Sequence, residues 1–182
     1  MIGARYYSSE PGSADSPRDP MGHGTHVAST AGGARVSNAS YFGLARGTAR
    51  GGSPWARIAS YKACFLTDCY GSNVLQAIDD AVRDGVDVVS ISVGFSSVED
   101  ESDYFSDPIA IGAFHAEQKG VMVICSAGND GPQPYTVLNT APWILTVAAS
   151  TIDRAFQSVV RLGNGKVLEV SLFFSRNWIW AI

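Results

Sequence analysis

The sequence predicts an α/β protein built on a mainly parallel β-sheet with helices on both faces. Three observations carry that prediction. Short apolar runs of strand length alternate with longer segments whose apolar residues recur at helical spacing, the pattern of βαβ units. The short runs are nearly continuous in Val and Ile, as expected of strands covered on both sides. Of the 182 residues, 46% are hydrophobic and 16% charged, a globular composition at a length suited to one domain. The reading places that domain over residues 1–170 and a divergent tail over 171–182, where two Trp and two Phe crowd twelve residues.

The elements follow in chain order. Residues 8–19 are rich in Ser, Pro, Gly and Asp and read as a surface loop. Residues 56–64 form an apolar run suited to a buried strand. Residues 72–84 place Val74, Leu75, Ile78, Ala81 and Val82 on one helical face, with Ser72 or Asn73 as N-cap and Gly85 as stop. Residues 86–93 are the next strand. Residues 108–119 read as a helix with Pro108 in its first turn and Gly120 just past its end. Residues 121–126 and 144–149 are further strands. Asn164-Gly165 between apolar stretches predicts a hairpin.

The charge balance excludes some partners. The chain has 13 Lys+Arg against 17 Asp+Glu, a net charge of −4. A dedicated nucleic-acid binder needs a clustered basic surface, so no nucleic acid is expected. No apolar run approaches the roughly 18–20 residues of a membrane span, so no membrane is expected either. Cys64 and Cys69 flank four residues; the spacing allows a small disulfide loop or two free thiols. Cys125 lies in an apolar run and reads as a small buried residue. Asn38-Ala39-Ser40 is a glycosylation sequon.

Ligands of parallel α/β sheets bind beyond the carboxyl ends of the strands. That rule singles out Ser92-Val93-Gly94 and Ser126-Ala127-Gly128-Asn129. Two of the three histidines lie in Gly22-His23-Gly24-Thr25-His26. Glycines on both sides leave the His23 ring open, and the small residues after it suit a helix packed tightly in a core. A metal reading of His23 and His26 with Asp19 nearby has no third ligand at a motif spacing, so no metal and no cofactor are expected. Taken alone, Asn129 in Gly128-Asn129-Asp130-Gly131-Pro132 reads as a turn residue.

The string Asp19-Pro20-Met21-Gly22-His23-Gly24-Thr25-His26 resembles the histidine motif of the subtilisin-like serine proteases, the subtilases. Further motifs resemble the plant branch of that family in family order: Gly47-Thr48-Ala49-Arg50-Gly51-Gly52, then residues 56–62, 84–94, 126–132 and 141–150. The resemblance implies an incomplete three-layer subtilisin-like fold and a peptide or protein substrate. It gives His23 the role of the catalytic base that takes a proton from a serine hydroxyl and returns it to the leaving amine. It gives Asn129 the role of an oxyanion-hole donor. It makes Ser92, Val93 and Gly94 the strand edge along which substrate adds, with Gly94 leaving room for a side chain, and Ser126, Ala127 and Gly128 another wall of the same pocket. His26 and His115 are implied to be structural.

The family order is Asp, His, Ser. No candidate Asp on an apolar strand precedes His23, since Asp15 and Asp19 fall in the polar loop. No Gly-Thr-Ser-Met motif follows, and there is no Gly-x-Ser-x-Gly elbow. Met21 stands where the family often has a polar or acidic residue. The expectation is a part of a catalytic domain that has no proteolytic turnover alone; the alternative is a non-catalytic relative that binds peptides or a partner. Complete members are implied to be secreted to the cell wall or vacuole, whereas residues 1–7 show no signal-peptide pattern.

Overall fold

A computed structural model describes residues 1–7, 16–65, 68–95, 104–152 and 157–171. In chain order the elements are β1 (Gly3–Tyr6), α1 (His23–Gly32), β2 (Val36–Tyr41), β3 (Leu44–Ala49), β4 (Ala59–Lys62), β5 (Cys64–Phe65), β6 (Asp68–Cys69), α2 (Gly71–Asp84), β7 (Val88–Ile91), α3 (Pro108–Gln118), β8 (Met122–Ser126), β9 (Leu145–Val147), β10 (Gln157–Arg161) and β11 (Val167–Ser171). Two compact units contain them, residues 1–148 and 149–182. Most of the divergent tail, residues 172–182, and most of the 8–19 loop, residues 8–15, lie outside the described residues.

In the first unit β7, β8 and β9 form a parallel sheet, with Ile91 opposite Cys125 and Ser126 opposite Val147. The sheet is the mainly parallel one that the sequence predicts. Helices α2 and α3 pack together over one face of it. Their buried positions join those of the strands in one cluster that includes Val74, Ile78, Ile91, Ile109, Ala113 and Val123. On the other face Val88, Met122, Leu145 and Val147 are each about half exposed, at 50%, 55%, 52% and 53%. The Val/Ile runs predict cover on both sides. Among the described residues the alternate side chains of these strands have only partial cover on that face.

Local sequence explains the helices. Val74, Ile78 and Ala81 of α2 are buried as the periodicity requires, and Gly85 ends the helix at φ 81, a left-handed conformation that glycine adopts without a Cβ clash. The helix starts at Gly71 without a side-chain cap, so neither Ser72 nor Asn73 is the cap. Asn73 instead reaches back, its Nδ2 donating to the Tyr7 carbonyl at 3.0 Å. In α3, Pro108 occupies the first turn as expected, and the Asp107 carboxylate accepts from the Ile109 N–H.

The first strand pairs in parallel with β4, Gly3 opposite Ala59. It is tied to α2 by a polar cluster. Arg5 donates to both Asp84 carboxylate oxygens, at 3.0 and 2.6 Å, and Tyr61 Oη donates to the same group at 2.8 Å. The Tyr61 and Arg5 donors hold the Asp84 carboxyl below its ordinary range. The Tyr7 hydroxyl donates to the buried Asp80 at 2.9 Å; burial, then that hydrogen bond, pushes the phenol well above its usual value. Strands β5 and β6 are closed by a Cys64–Cys69 disulfide, which settles the open spacing in favour of the bridge. Burial, with the Asp107 charge adding, pushes the Cys125 thiol up to about 12, as fits a small core residue.

The second unit holds the β10–β11 antiparallel hairpin, Arg161 opposite Val167. Its turn is at Asn164-Gly165 as predicted: Gly165 has φ 83, and the Lys166 N–H donates to Asn164 Oδ1.

Candidate active site

His23 is the first residue of α1, and its ring is exposed. The turn before it is built by Asp19. Asp19 Oδ1 accepts from the Met21 and Gly22 N–H groups at 3.0 and 2.8 Å. Asp19 Oδ2 accepts from both the N–H and the hydroxyl of Thr25, each at 2.8 Å. A single carboxylate thus satisfies N–H groups that the start of a helix leaves without intrahelical partners. The Thr25 and Gly22 donors hold its carboxyl far below the usual carboxylate range. Gly22 sits at φ 91, which lets the chain turn from this anchor into the helix. Met21 is exposed, and its departure from the family pattern leaves its N–H on Asp19.

The small residues of α1 predict a helix packed inside a core. That expectation is corrected: no residue of α1 is buried. The helix is held instead by Asp19 at its start and by backbone bonds near its end. There the N–H groups of Gly51, Gly52 and Ser53 donate to the carbonyls of Gly33, Thr30 and Ala31. Gly51 allows this close backbone approach, since a Cβ on it would lie 2.3 Å from the Gly33 nitrogen. His26 is exposed; the Ser29 and Thr30 hydroxyls donate to its carbonyl.

The second part of the site lies beyond the carboxyl ends of β7 and β8. The register sets Ile91 beside Cys125, and Ser92-Val93-Gly94 and Ser126-Ala127-Gly128 follow these two positions. The Ala127 N–H donates to the Val147 carbonyl at 3.1 Å, and its own carbonyl accepts from the Leu138 N–H at 3.0 Å. Gly128 has φ 88, and Asn129 just after it is exposed. Among the described residues no hydrogen bond joins the His23 ring to Asn129 or to either strand end. No group of three His, Cys, Asp or Glu side chains there is placed to hold a metal ion.

Sequence reasoning misses the residue that joins the two strand ends. Asn139 is buried, and its Nδ2 donates to the Val93 carbonyl at 3.0 Å and to the Ser126 carbonyl at 2.9 Å. Its own carbonyl accepts from the Thr146 hydroxyl, and its backbone is left-handed at φ 57. In the sequence it stands among turn-like residues, with no pattern that marks it as a clamp. Its neighbour Leu138 is also unmarked. A Cβ at Gly94 would lie 2.8 Å from Leu138 Cδ1, and one at Gly128 would lie 3.1 Å from the same atom. The room that Gly94 was expected to leave is therefore filled, on that side, by Leu138.

Comparison with known proteins decides the family. Residues 4–171 match the model of the subtilase family, Peptidase_S8. The chain belongs to the subtilase family. It is 57% identical over 171 residues to the CO(2)-response secreted protease of Arabidopsis thaliana, covering 93% of this chain and 22% of that protein. It is 54% identical over 167 residues to the subtilisin-like protease SBT5.1 of the same plant, covering 90% of this chain and 21% of that one. The chain thus spans about a fifth of the length of these relatives. Among solved structures, it resembles the epidermin leader peptide processing serine protease of Staphylococcus aureus with a TM-score of 0.50 and 26% identity, over 64% of this chain and 27% of that one.

Proposed function

We propose that this subtilase chain carries the proton-transfer and oxyanion-binding parts of a serine endopeptidase. The observation that carries the reading is the family match over residues 4–171, together with an exposed His23 seated at a helix start by Asp19. In this reading His23 accepts the proton of a serine hydroxyl as that oxygen attacks the peptide carbonyl, then gives it to the departing amine. The side-chain amide of Asn129 donates to the carbonyl oxygen as it gains negative charge. The half-buried strand end at Ser92, Val93 and Gly94 receives an extended peptide through main-chain hydrogen bonds, and Ser126, Ala127 and Gly128 face it.

These 182 residues hold no Gly-Thr-Ser-Met motif, so the chain by itself is proposed to lack turnover. The site as read needs no cofactor. The Cys64–Cys69 disulfide fits an oxidising compartment. One relative is named a secreted protease, which supports an extracellular place for the complete protein.

A segment exchange tests the roles. Residues 4–171 replace the matching segment of the Arabidopsis CO(2)-response secreted protease, and peptide hydrolysis is measured. The exchange protein is expected to cleave peptides. His23→Ala in it is expected to remove activity by about 10⁶-fold, and Asn129→Ala by about 10²–10³-fold in kcat. Retained activity in His23→Ala rejects the assignment.

A further inference from the structure

We infer that Leu138 is the floor of the peptide cleft between the two strand ends and limits the size of the substrate side chain admitted there. The inference rests on the reading of Ser92–Gly94 and Ser126–Gly128 as the cleft walls and adds the residue that closes it. Gly94 and Gly128 belong to different strand ends, yet both would place a Cβ against Leu138: Cδ1 and Cβ at 2.8 and 3.3 Å from the first, Cδ1 and Cγ at 3.1 Å from the second. One isobutyl group therefore lies against both glycines. Leu138 is only half-buried, so part of it is available to a ligand.

Its position is fixed from three sides. Its N–H donates to the Ala127 carbonyl. The next residue, Asn139, clamps the Val93 and Ser126 carbonyls. Thr146 in turn holds the Asn139 carbonyl. A side chain entering between the walls meets branched methyl groups that the backbone cannot swing away. Such a floor suits small aliphatic residues and excludes aromatic ones; it carries no charge to attract Lys, Arg, Asp or Glu. A hydrophobic pocket discriminates between side chains differing by one methylene by roughly 10–200-fold.

The test uses the full 182-residue chain, labelled with ¹⁵N, and blocked peptides of one sequence with Ala, Leu or Phe at the central position. Binding is followed at the Gly94 and Gly128 amides. The wild type is expected to bind the Ala peptide at least about tenfold more tightly than the Phe peptide. Leu138→Ala is expected to reverse that order by about tenfold, with the perturbed amides unchanged. A variant that weakens all three peptides equally while still perturbing Gly94 and Gly128 overturns the floor and leaves the cleft. Absence of any peptide effect at Gly94 and Gly128 in the wild type overturns the cleft reading and the floor with it. If Leu138→Ala loses the dispersed spectrum of the folded chain, Leu138→Val, which removes one methylene, is used. It is expected to improve Phe binding relative to Ala, and an unchanged ratio of Phe to Ala affinity rejects the floor.

Discussion

Helices α1 and α3 are nearly equal in length and both rich in small residues, yet different forces hold them. In α3, Ile109, Ala110, Ala113 and Ala116 are wholly inaccessible to solvent. Its small residues allow α2 to approach, so that a Cβ on Gly112 would lie 2.8 Å from Ile78 Cδ1. In α1 nothing is buried, and the anchors are polar: the Asp19 carboxylate at one end and main-chain hydrogen bonds at the other. The difference teaches that a run of Ala, Gly, Ser and Thr does not by itself announce a core helix. In α3 the small side chains bring apolar surfaces together. In α1 they cover no core, and His23 stays open to solvent.

That contrast can be broken by substitution, and urea unfolding of the whole chain measures it. Ile109→Ala removes fully buried methyl groups from α3 and is expected to cost about 2–5 kcal/mol. The Asn139 clamp lies between the two regimes, polar but buried. Asn139→Ala leaves the Val93 and Ser126 carbonyls without this donor and puts alanine at a left-handed φ. The lost hydrogen bonding alone is expected to cost about 1–3 kcal/mol. Ala28→Leu in α1 is expected to change stability by no more than about 0.5 kcal/mol. A loss at Ala28 comparable to that at Ile109 would erase the distinction between the helices.

The weakest expected effect is local and concerns acid. The Asp19 carboxyl is depressed in the folded protein, so its contribution is complete above the unfolded carboxylate value of about 4. It is lost only as pH falls from there through the lower folded value. The Thr25 and Gly22 amide resonances are therefore expected to hold steady down to about pH 4 and to move below it. A midpoint at the ordinary Asp value would show that Asp19 is not the anchor described.

The elements legible in the sequence are those whose side chains are asymmetric. The apolar stripe of α2, the left-handed stop at Gly85, Pro108 at the start of α3 and the Asn164-Gly165 turn each have one physical solution. The β2–β3 hairpin was not legible, because its residues are almost all exposed and follow no apolar alternation. Within the candidate site, the rule that ligands meet parallel sheets at strand ends singles out Ser92–Gly94 and Ser126–Asn129, which lie at and beyond the ends of β7 and β8. It could not find Asn139, whose importance comes from two carbonyls 46 and 13 residues away in sequence. Asp19 was visible as an acidic residue near His23, but its work is done through backbone N–H groups, which leave no mark in a sequence.

The proposed function gives this chain the base and the oxyanion donor but no activated nucleophile. Fluorophosphonate labelling followed by mass spectrometry tests it most directly, with the active segment-exchange protein as the labelled control. The account predicts no stable adduct on any serine of the 182-residue chain. A stoichiometric adduct on one of them would contradict it.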